Sequence, residues 1–342
     1  MLVVLLSFSE FTSRSCKALE IPHGIHLIRI PTPFAVGPVN CYLIEGSPLT
    51  LIDTGVKSAL SLEVLKDGVS EAGYDIADIE QVCITHGHVD HMGLAETISE
   101  HSNHDVDIWI HEQDLVRLTD YENYIEDRMK AYHRIAEESG APVTNGVLNS
   151  ERQMADYFLK YGESAKSAKA LTDSQQIRTG MGTLETVWTP GHSLGSVCYV
   201  MKGERVLFAG DHVLGDISSN PSLDFDGKLG ISMLTYFNSL ERVRRYADYL
   251  VLPGHRSLVE NLEERIDFLL SDYDRKLNEV ETALSHNPIS VYELSRRIYG
   301  DYSSDQLVLA VAETQDLVRI LAESEKAVLA HKDGVLLVSS SG

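Results

Sequence analysis

The sequence predicts a protein of the α/β class, and two observations support this. Short apolar runs rich in β-branched residues alternate along the chain with segments whose apolar side chains recur at helical spacing. Several of these runs are followed within a few residues by a His or an Asp, in turns that contain glycine. Because rigid sheets usually carry their chemistry on the loops at strand ends, the pattern places a functional site there.

The first predicted elements are strands and one covering helix. Residues 24–30 and 40–53 form a strand–turn–strand pattern, and residues 58–72 place Leu62, Leu65 and Val69 at helical spacing. Two more buried strands are predicted at residues 82–85 and 108–111. We expect residues 1–18 to be a poorly ordered leader, because their apolar stretch lacks the basic flank of a signal peptide and is too short to span a membrane.

Residues 121–174 form a long polar stretch of helical character. Its large side chains include Tyr124, Met129, Tyr132, His133, Tyr157, Phe158 and Tyr161. One interpretation is a solvated helical hairpin whose aromatic residues pack on the body of the protein. The interpretation that we favour is a lid whose aromatic and Met side chains shape an apolar substrate pocket.

The second half of the chain contains another set of strands, predicted at residues 184–188, 197–201 and 205–209. After residue 259 the pattern changes. A helix is predicted over residues 260–286, a second begins with a capping box at Ser290 and Glu293, and a third covers residues 304–324. A hairpin is predicted over residues 327–338, around Asp333 and Gly334. This order is similar to a winged helix and predicts a C-terminal module, residues 260–342.

The charge of the chain disfavours nucleic acid as a partner. Its formal net charge of −22 repels phosphate backbones. The third predicted helix of the C-terminal module has the same bias, since residues 303–326 carry five acidic and two basic side chains. We therefore expect this helix to pack against the protein. The module is expected to brace the catalytic domain, to wall a pocket or to form a homodimer contact.

The cysteines give no sign of a disulfide framework or a metal-binding Cys pair. Cys16, Cys41, Cys83 and Cys198 are scattered, and two of them lie inside apolar runs where they would act as small core residues. No segment reaches the length of a membrane-spanning helix. These features predict a cytoplasmic protein with free thiols and no membrane contact.

The strongest functional signal is the sequence Thr-His-Gly-His-Val-Asp-His at residues 85–91. It places three imidazoles and one carboxylate on one loop, directly after the apolar residues 82–84. Transition metals bind neutral His nitrogens and Asp oxygens, so ligands at this density predict a metal site. The alternative is a His-rich surface loop, which would have no matching ligands elsewhere in the chain.

Matching ligands do follow three later apolar runs. They are His192 after Trp-Thr-Pro-Gly, Asp211 after Leu-Phe-Ala-Gly, and His255 after Leu-Pro-Gly. In each case a glycine precedes the ligand, where it permits the sharp turn that lifts a side chain off a strand end. One such turn is a weak signal, whereas five His and two Asp in this order and spacing are a specific one.

With these motifs the sequence resembles the metallo-β-lactamase-fold hydrolases, over residues 21–258. The resemblance implies a four-layer αββα sandwich at residues 19–259, with the helical insertion at 121–174. The C-terminal winged-helix-like module is similar to that of the branch with glyoxalase II-like and β-lactamase-like proteins. A Cys in place of Asp211 would have indicated an antibiotic-degrading β-lactamase, and a Glu in place of His88 a di-iron electron-transfer enzyme. This chain has neither.

The resemblance also implies a set of roles at a dinuclear metal site. Zinc is the metal expected first, and an all-His/Asp ligand set leaves iron and manganese open. A hydroxide that bridges the two ions would attack the substrate, while Asp90 orients it and passes a proton to the leaving group. The implied ligands are His86, His88 and His192 for the first ion, Asp90, His91 and His255 for the second, and Asp211 as the bridge.

Three further residues are candidates for supporting roles. Asp53, which follows an early strand, is similar to a residue that supports the ligands in this family, although a turn-forming Asp is an equal alternative. His212 follows the predicted bridging Asp and is a candidate hydrogen-bond donor to a ligand. Tyr236 is a candidate donor to the substrate oxygen. For His212 and Tyr236, simple packing in the core is the stronger alternative.

These observations favour hydrolysis of a small ester, thioester or lactone. The first alternative is a metal-dependent nuclease or phosphodiesterase acting on RNA, which would need a positively charged channel that the sequence does not display. The second alternative is a mononuclear iron sulfur dioxygenase on the same fold. A regulator that senses a small ligand is a further, weaker alternative, because all the expected metal ligands are present.

Overall fold

Strands and helices alternate along the chain as the sequence predicts. The computed structural model describes residues 20–341, apart from residue 143 and residues 224–229. Its strands are β1 (Ile25–Ile30), β2 (Val39–Ile44), β3 (Thr50–Ile52), β4 (Gln81–Cys83), β5 (Asp107–His111), β6 (Lys169–Leu171), β7 (Gln176–Thr179), β8 (Gly182–Trp188), β9 (Val197–Met201), β10 (Val206–Gly210), β11 (Leu250–Pro253), β12 (Ile289–Ser290), β13 (Ala327–Lys332) and β14 (Val335–Ser340). Its helices are α1 (Ala59–Glu71), α2 (Val89–Met92), α3 (Ala95–His101), α4 (Leu115–Thr119), α5 (Tyr121–Glu138), α6 (Asn145–Tyr161), α7 (Ser232–Val243), α8 (Leu262–Ala283), α9 (Val291–Tyr299) and α10 (Leu307–Glu323).

The strands form two large sheets and one small one. The first large sheet has the order β1-β2-β3-β4-β5-β6, and the second has the order β11-β10-β9-β8-β7. Strands β3 to β6 run parallel to one another, whereas β1, β2 and β3 pair antiparallel. In the second sheet β10 and β11 are parallel, and the other pairs are antiparallel.

Three apolar layers show that the two sheets lie face to face between helices. On β9, Val197, Tyr199 and Met201 belong to a core cluster that joins the two sheets. The alternate residues Cys198 and Val200 belong to a different cluster, shared with the helices over the second sheet. This alternation is the period of two expected of a strand buried on both faces. A third cluster joins the first sheet to its own helices, so the predicted αββα sandwich is confirmed.

The helical insertion differs from its prediction at its C-terminal end. Helices α5 and α6 account for most of residues 121–174, but Lys169–Leu171 form β6, a short strand at the edge of the first sheet. Two of its three residues are exposed. A strand this short has too few residues to show the alternation by which sequence patterns predict strands. The prediction of a purely helical stretch was therefore wrong for these residues.

The C-terminal region contains the predicted elements in the predicted order. Helices α8, α9 and α10 are accompanied by a small sheet of order β12-β14-β13. Ser290 and Glu293 form the predicted capping box at the start of α9. Asp333 and Gly334 form the hairpin turn, with φ values of 51° and 83° that match a two-residue type I′ turn. The winged-helix assignment and the boundary at residue 259 stay predictions.

The predictions about cysteines and membrane helices can be compared with the structure for the described residues. Cys41, Cys83 and Cys198 are free and buried, as expected of core thiols, while Cys16 and the predicted leader at residues 1–18 lie outside the described residues. Within the described part of the chain, no helix has both the length and the apolar character to cross a bilayer.

Candidate metal centre

Two groups of ligand atoms lie side by side at the edge where strand ends of both sheets meet. One group is His86, His88 and His192, and the other is Asp90, His91 and His255. Within each group the ligand atoms lie within 4.8 Å of one another. All six residues are among the seven predicted ligands, so the structure brings together side chains that are up to 169 positions apart in the chain (255 − 86).

The geometry of the first group suits a single ion. Nδ1 of His88 lies 3.0 Å from Nε2 of His86 and 3.0 Å from Nε2 of His192. Zinc binds His nitrogens at about 2.0–2.1 Å, so neighbouring nitrogens on one ion lie roughly 3 Å apart. The three imidazoles therefore already have the spacing of ligands to a shared metal.

Asp211 lies between the two groups. Its Oδ1 is 3.5 Å from Nε2 of His91, and its Oδ2 is 3.7 Å from Nε2 of His192 and 3.6 Å from Nε2 of His255. In the second group, Oδ2 of Asp90 lies 3.3 Å from Nε2 of His255. One carboxylate thus reaches ligands of both groups, which is the position that the sequence assigned to the bridge.

Unsatisfied polar atoms in this cluster indicate that an ion fits it. Nε2 of His91, Nε2 of His255 and Oδ1 of Asp211 are buried, and none of the three has a hydrogen-bond partner among the described residues. Buried polar atoms are normally hydrogen-bonded, because leaving one unpaired costs about 1–3 kcal/mol. A metal ion bound by these atoms would remove that cost, so the donor set fits transition-metal binding.

Backbone carbonyls fix the tautomers of two ligands. His255 donates its Nδ1 hydrogen to the carbonyl of Pro38, at 2.8 Å, and His192 does the same to the carbonyl of Ser219. A carbonyl oxygen only accepts, so each ring carries its proton on Nδ1 and keeps the lone pair of Nε2 for a metal.

Asp53 supports a ligand in each group. It follows β3 with a left-handed φ of 56°, a conformation that Asp tolerates better than most residues. Its carboxylate accepts the backbone N–H of Thr85 at 2.8 Å, the hydroxyl of Thr85 at 2.9 Å and Nδ1–H of His91 at 2.8 Å. The Thr85 hydroxyl in turn lies 3.1 Å from Nδ1 of His86. The structure favours the supporting role over the turn-forming alternative.

The electrostatics favour the metal-binding forms of the first three imidazoles and of Asp211, whereas nearby carboxylates outweigh burial and raise the pKa of His91 and of His255. Burial, with neighbouring cationic groups, holds the pKa of the first three imidazoles below its usual range, so they are neutral; they are His86, His88 and His192. Burial alone would raise the pKa of Asp211, but the nearby His255 and His91 outweigh it and hold that pKa well below its usual range. Neutral imidazole and ionised carboxylate are the forms that bind metals.

Asp114, which sequence reasoning missed, joins two of the ligand loops. This fully buried carboxylate accepts the backbone N–H of Gly87 at 2.7 Å, the Ser193 hydroxyl at 2.6 Å and the backbone N–H of Gly195 at 3.0 Å, and it pairs with Arg117 at 3.0 Å. It therefore ties the loop of His86 to the loop of His192. The residue lies after β5, far from either motif in the chain, and no local pattern marks it.

Two residues of β2 hold the turn that carries His255. Asn40 donates its side-chain N–H to the carbonyls of Pro253 and Arg256, at 3.0 Å each, and the hydroxyl of Tyr42 donates to Pro253 at 2.7 Å. Between them, Gly254 packs so tightly that a Cβ there would lie 2.4 Å from Oδ1 of Asp211. The glycine is thus required by the approach of this turn to the bridge.

For Tyr236 and His212 the structure supports the packing alternative over the candidate donor roles. Tyr236 is fully buried in the helix–sheet core, and its hydroxyl donates to the backbone carbonyl of His212 at 2.9 Å rather than to the pocket. The His212 ring packs against Tyr236, and neither ring nitrogen has a hydrogen-bond partner among the described residues. Burial lowers the pKa of His212 to about 3, so the ring is neutral. Both residues pack the core behind Asp211.

Four of the seven predicted ligands line one cavity of about 270 Å³; they are His88, Asp90, His192 and Asp211. Helices α5 and α6 contribute to its wall, which supports the lid interpretation for Tyr124 and Phe158. The C-terminal helix α10 contributes as well, through Leu309, Ala310 and Glu313. Most of the exposed surface of the cavity is apolar, as is usual for a small-molecule site.

Comparison with known proteins assigns this arrangement to a family. The model of the metallo-beta-lactamase superfamily matches residues 35–255, nearly two thirds of the chain. The chain belongs to the metallo-beta-lactamase superfamily. This confirms the resemblance seen in the sequence, the fold and the class of metal-dependent hydrolases in which the sequence placed the chain.

The alignments with individual relatives cover different shares of this chain. A probable metallo-hydrolase of Bacillus subtilis, YqjP, is 26% identical over 316 residues, which cover 90% of this chain and 94% of that protein. An atrochrysone carboxyl ACP thioesterase of Aspergillus fumigatus is 27% identical over 171 residues, 49% of this chain and 38% of that protein. A beta-lactamase domain protein from Burkholderia ambifaria has the same fold, with a TM-score of 0.79, 22% identity and 94% of each chain covered.

Proposed function

We propose that this chain is a dinuclear hydrolase that binds two divalent ions, with zinc expected first, and cleaves a small thioester. Esters and lactones are the neighbouring substrate classes. The observation that carries the proposal is the pair of ligand groups that share Asp211 and open into one apolar cavity. When bound, two such ions lower the pKa of water to near neutrality and polarise the carbonyl under attack.

Asp90 is the residue proposed to move the proton. Its carboxylate belongs to the second ligand group and also lines the cavity, so it faces both the ligands and the reacting acyl group. Burial would raise its pKa, but His91 and His255 outweigh burial and lower it, so the carboxylate is ionised. An ionised carboxylate at this position serves as general base, and then returns the proton to the leaving thiolate.

The choice of a thioester rests on two observations. A relative whose alignment covers 49% of this chain is named as an ACP thioesterase. The cavity is also small, mainly apolar and bordered by the predicted lid, as suits an acyl chain. RNA cleavage has less support, because α10, the helix that would enter a nucleic-acid groove, is largely buried. Its buried side chains include Val311, Leu317 and Leu321.

The test begins with metal content per chain of protein purified without added metal. A panel of thioester, ester, lactone and phosphodiester substrates follows. About two zinc or manganese ions per chain with thioester turnover would support the proposal. One iron per chain with oxygen consumption on a persulfide would replace it with a sulfur dioxygenase, and salt-dependent RNA cleavage would replace it with a nuclease.

Asp211→Asn tests the bridge. The amide keeps the shape of the side chain but removes the charge that two ligand groups share, so we expect bound metal to fall and turnover to drop by at least 100-fold. Asp248→Asn is the matched control, because Asp248 is exposed and, within the described part of the chain, forms its ion pair with Arg205. Full turnover in Asp211→Asn would contradict the dinuclear mechanism.

A further inference from the structure

We propose that Arg128 is the anion-binding residue of the cavity, and that the natural substrate carries a carboxylate or phosphate away from its scissile bond. This inference rests on the proposed hydrolase function, whose substrate class it narrows. Arg128 lies on α5, in the predicted lid, and its side chain lines the same cavity as His88, Asp90 and Asp211.

The guanidinium of Arg128 is held by neutral partners. Its Nε donates to the hydroxyl of Tyr132 at 2.6 Å, and its Nη1 donates to the hydroxyl of Tyr124 at 2.7 Å. Its carbon lies 5.2–5.9 Å from the ring centres of Tyr124, Tyr132 and Phe158. Among the residues that the structure describes, none offers a carboxylate within ion-pair distance of Arg128.

The other cations that line the cavity already have partners. Lys276 forms an ion pair with Glu313 at 2.5 Å. Arg265 donates to the backbone carbonyls of Leu214 and Ile217, at 2.6 Å each, and so fixes the loop that follows Asp211. Among the cations that line the cavity, Arg128 therefore differs in having neither a carboxylate nor a backbone carbonyl as a partner within the described part of the chain.

The remaining donors of Arg128 match an anion with two oxygens. Arginine has five N–H donors, and the two hydrogen bonds to phenols use one on Nε and one on Nη1. The donors left on Nη1 and Nη2 form the fork that binds carboxylate or phosphate in a bidentate manner. The aromatic rings around the guanidinium hold it in place, which lowers the entropy that is lost when it binds a ligand.

The position of Arg128 puts this anion close to the reacting bond. Arg128 and His88, a ligand of the first group, line the same cavity. In a cavity of this size, a group bound by Arg128 and an acyl carbon at the ligands belong to one small molecule. The anion is either at the end of the acyl chain or on the thiol part.

Two matched pairs of substrates distinguish these two positions of the anion. The first compares S-glutaryl-N-acetylcysteamine with S-pentanoyl-N-acetylcysteamine, which differ by a terminal carboxylate on the acyl chain. The second compares S-pentanoyl-4′-phosphopantetheine with S-pentanoylpantetheine, which differ by a phosphate on the thiol part. We expect the metal-loaded enzyme to prefer the anionic member of one pair by at least tenfold in kcat/KM, and this preference to shrink as salt screens the charge.

Arg128→Gln should remove that preference. A hydrogen bond to a charged group is worth roughly a tenfold to hundredfold change in affinity, so KM for the preferred anionic substrate should rise by that factor. Turnover of the neutral partner should change by a smaller factor than turnover of the anionic one. Arg128→Lys keeps the charge but loses the fork. Its preference for the anionic substrate should lie between the preferences of the unmodified enzyme and of Arg128→Gln. Arg134→Gln is the control, because Arg134 lies on the same helix and is exposed.

The outcomes distinguish this inference from the function on which it rests. If the metal-loaded enzyme cleaves none of the four thioesters, the proposed function fails. If it cleaves them with no preference in either pair, or if Arg128→Gln keeps the preference, the function stands and the role of Arg128 is refuted. Thermal melting and metal content verify that each variant is folded and loaded. If Arg128→Gln does not fold, the role of Arg128 is tested with Arg128→Lys instead. Its preference for the anionic substrate, and the dependence of that preference on salt, are then compared with those of the unmodified enzyme.

Discussion

At the scale of single residues, the carboxylate of Asp53 supports both halves of the metal centre. It holds the ring of His91 directly and the ring of His86 through the hydroxyl of Thr85. Because Asp53 is acceptor-only when ionised, the hydroxyl of Thr85 must donate to it and is left to accept from His86. One side chain thereby sets the tautomer of a ligand in each group.

Asp53→Asn should weaken metal binding. An amide offers one acceptor oxygen, so at least one of the donors that now face the carboxylate would meet an N–H₂ group instead. Losses of this kind typically cost 10- to 100-fold in metal affinity. Asn tolerates the left-handed φ of 56°, so the substitution adds no backbone strain.

The measurement for Asp53→Asn is metal retained per chain during dialysis against rising chelator concentration. Asp75→Asn is a suitable control, because Asp75 is also a backbone-binding Asp but lies at the surface, where it accepts the N–H of Ala77. Metal retention equal to that of the unmodified protein would show that Asp53 does not support the ligands.

The ligands themselves could be predicted from the sequence, but part of their surroundings could not. The ligands follow recognisable strand–glycine turns, and four of them lie within residues 86–91. Asp114 and Asn40 act on loops that are distant in the chain, so only the fold brings them to the site. Tyr236 was a candidate for the pocket from its neighbourhood in sequence, with core packing as the stronger alternative, and its place on α7 turns it into the core.

At the scale of elements, α10 is coupled to α7 through a buried carboxylate. Asp316 on α10 accepts the backbone N–H of Met233, near the start of α7, at 3.1 Å. Asp316 is only 6% exposed. Burial, against the effect of this hydrogen bond, raises the pKa of Asp316 to about 6. The unfolded chain has an ordinary Asp pKa near 3.9.

This difference predicts a loss of stability as pH rises from about 4 to about 6. In that range the folded protein binds the Asp316 proton and the unfolded chain does not, so the free energy of unfolding falls with pH and levels off above 6. A shift of this size corresponds to roughly 3 kcal/mol. Asp316→Asn should lack this contribution, so its stability relative to the unmodified protein should increase across the same window.

Urea unfolding of metal-free protein at pH 4, 5, 6 and 7 measures this difference. Glu323→Gln provides the control, since Glu323 is an exposed acid at the end of the same helix. A stability difference between Asp316→Asn and the unmodified protein that is the same at all four pH values would contradict the prediction.

Helices and strands that are long enough for their apolar residues to repeat at a regular spacing were predictable, whereas shorter elements were not. Helix α1 begins and ends within one residue of the predicted stretch 58–72, and its apolar residues Leu65 and Val69 are buried. Strand β6 has three residues and one buried side chain, so it carries no periodic signal. What fixes β6 is its parallel pairing with β5, which is a tertiary contact.

At the scale of the whole molecule, one apolar core crosses the predicted boundary at residue 259. Leu207 of the second sheet and Leu240 of α7 share a cluster with Ile266 of α8 and Leu317 of α10. The sequence shows a change of pattern after His255, but periodicity does not reveal which faces meet. The C-terminal helices thus cover the second sheet and also wall the cavity.

Removal of residues 260–342 should therefore leave an insoluble protein. The cut would expose the outer faces of α7 and the second sheet, including Leu240 and Leu207, and contiguous apolar surface of this kind promotes aggregation. Recovery of a soluble 1–259 chain with full metal content and thioester turnover would instead make the C-terminal region an independent domain.

Leu317→Ala tests the same point with a folded protein. Leu317 is fully buried in the shared core, so its truncation should cost about 2–5 kcal/mol and lower the melting temperature of the whole chain in a single transition. Val328→Ala on β13 is the control: Val328 is 51% exposed, and we expect a change in the free energy of unfolding within about 0.5 kcal/mol.

Because α10 also walls the cavity, Leu317→Ala should raise KM more than it lowers kcat. Two separate melting transitions, with the catalytic one unmoved, would show that the core is not shared in solution.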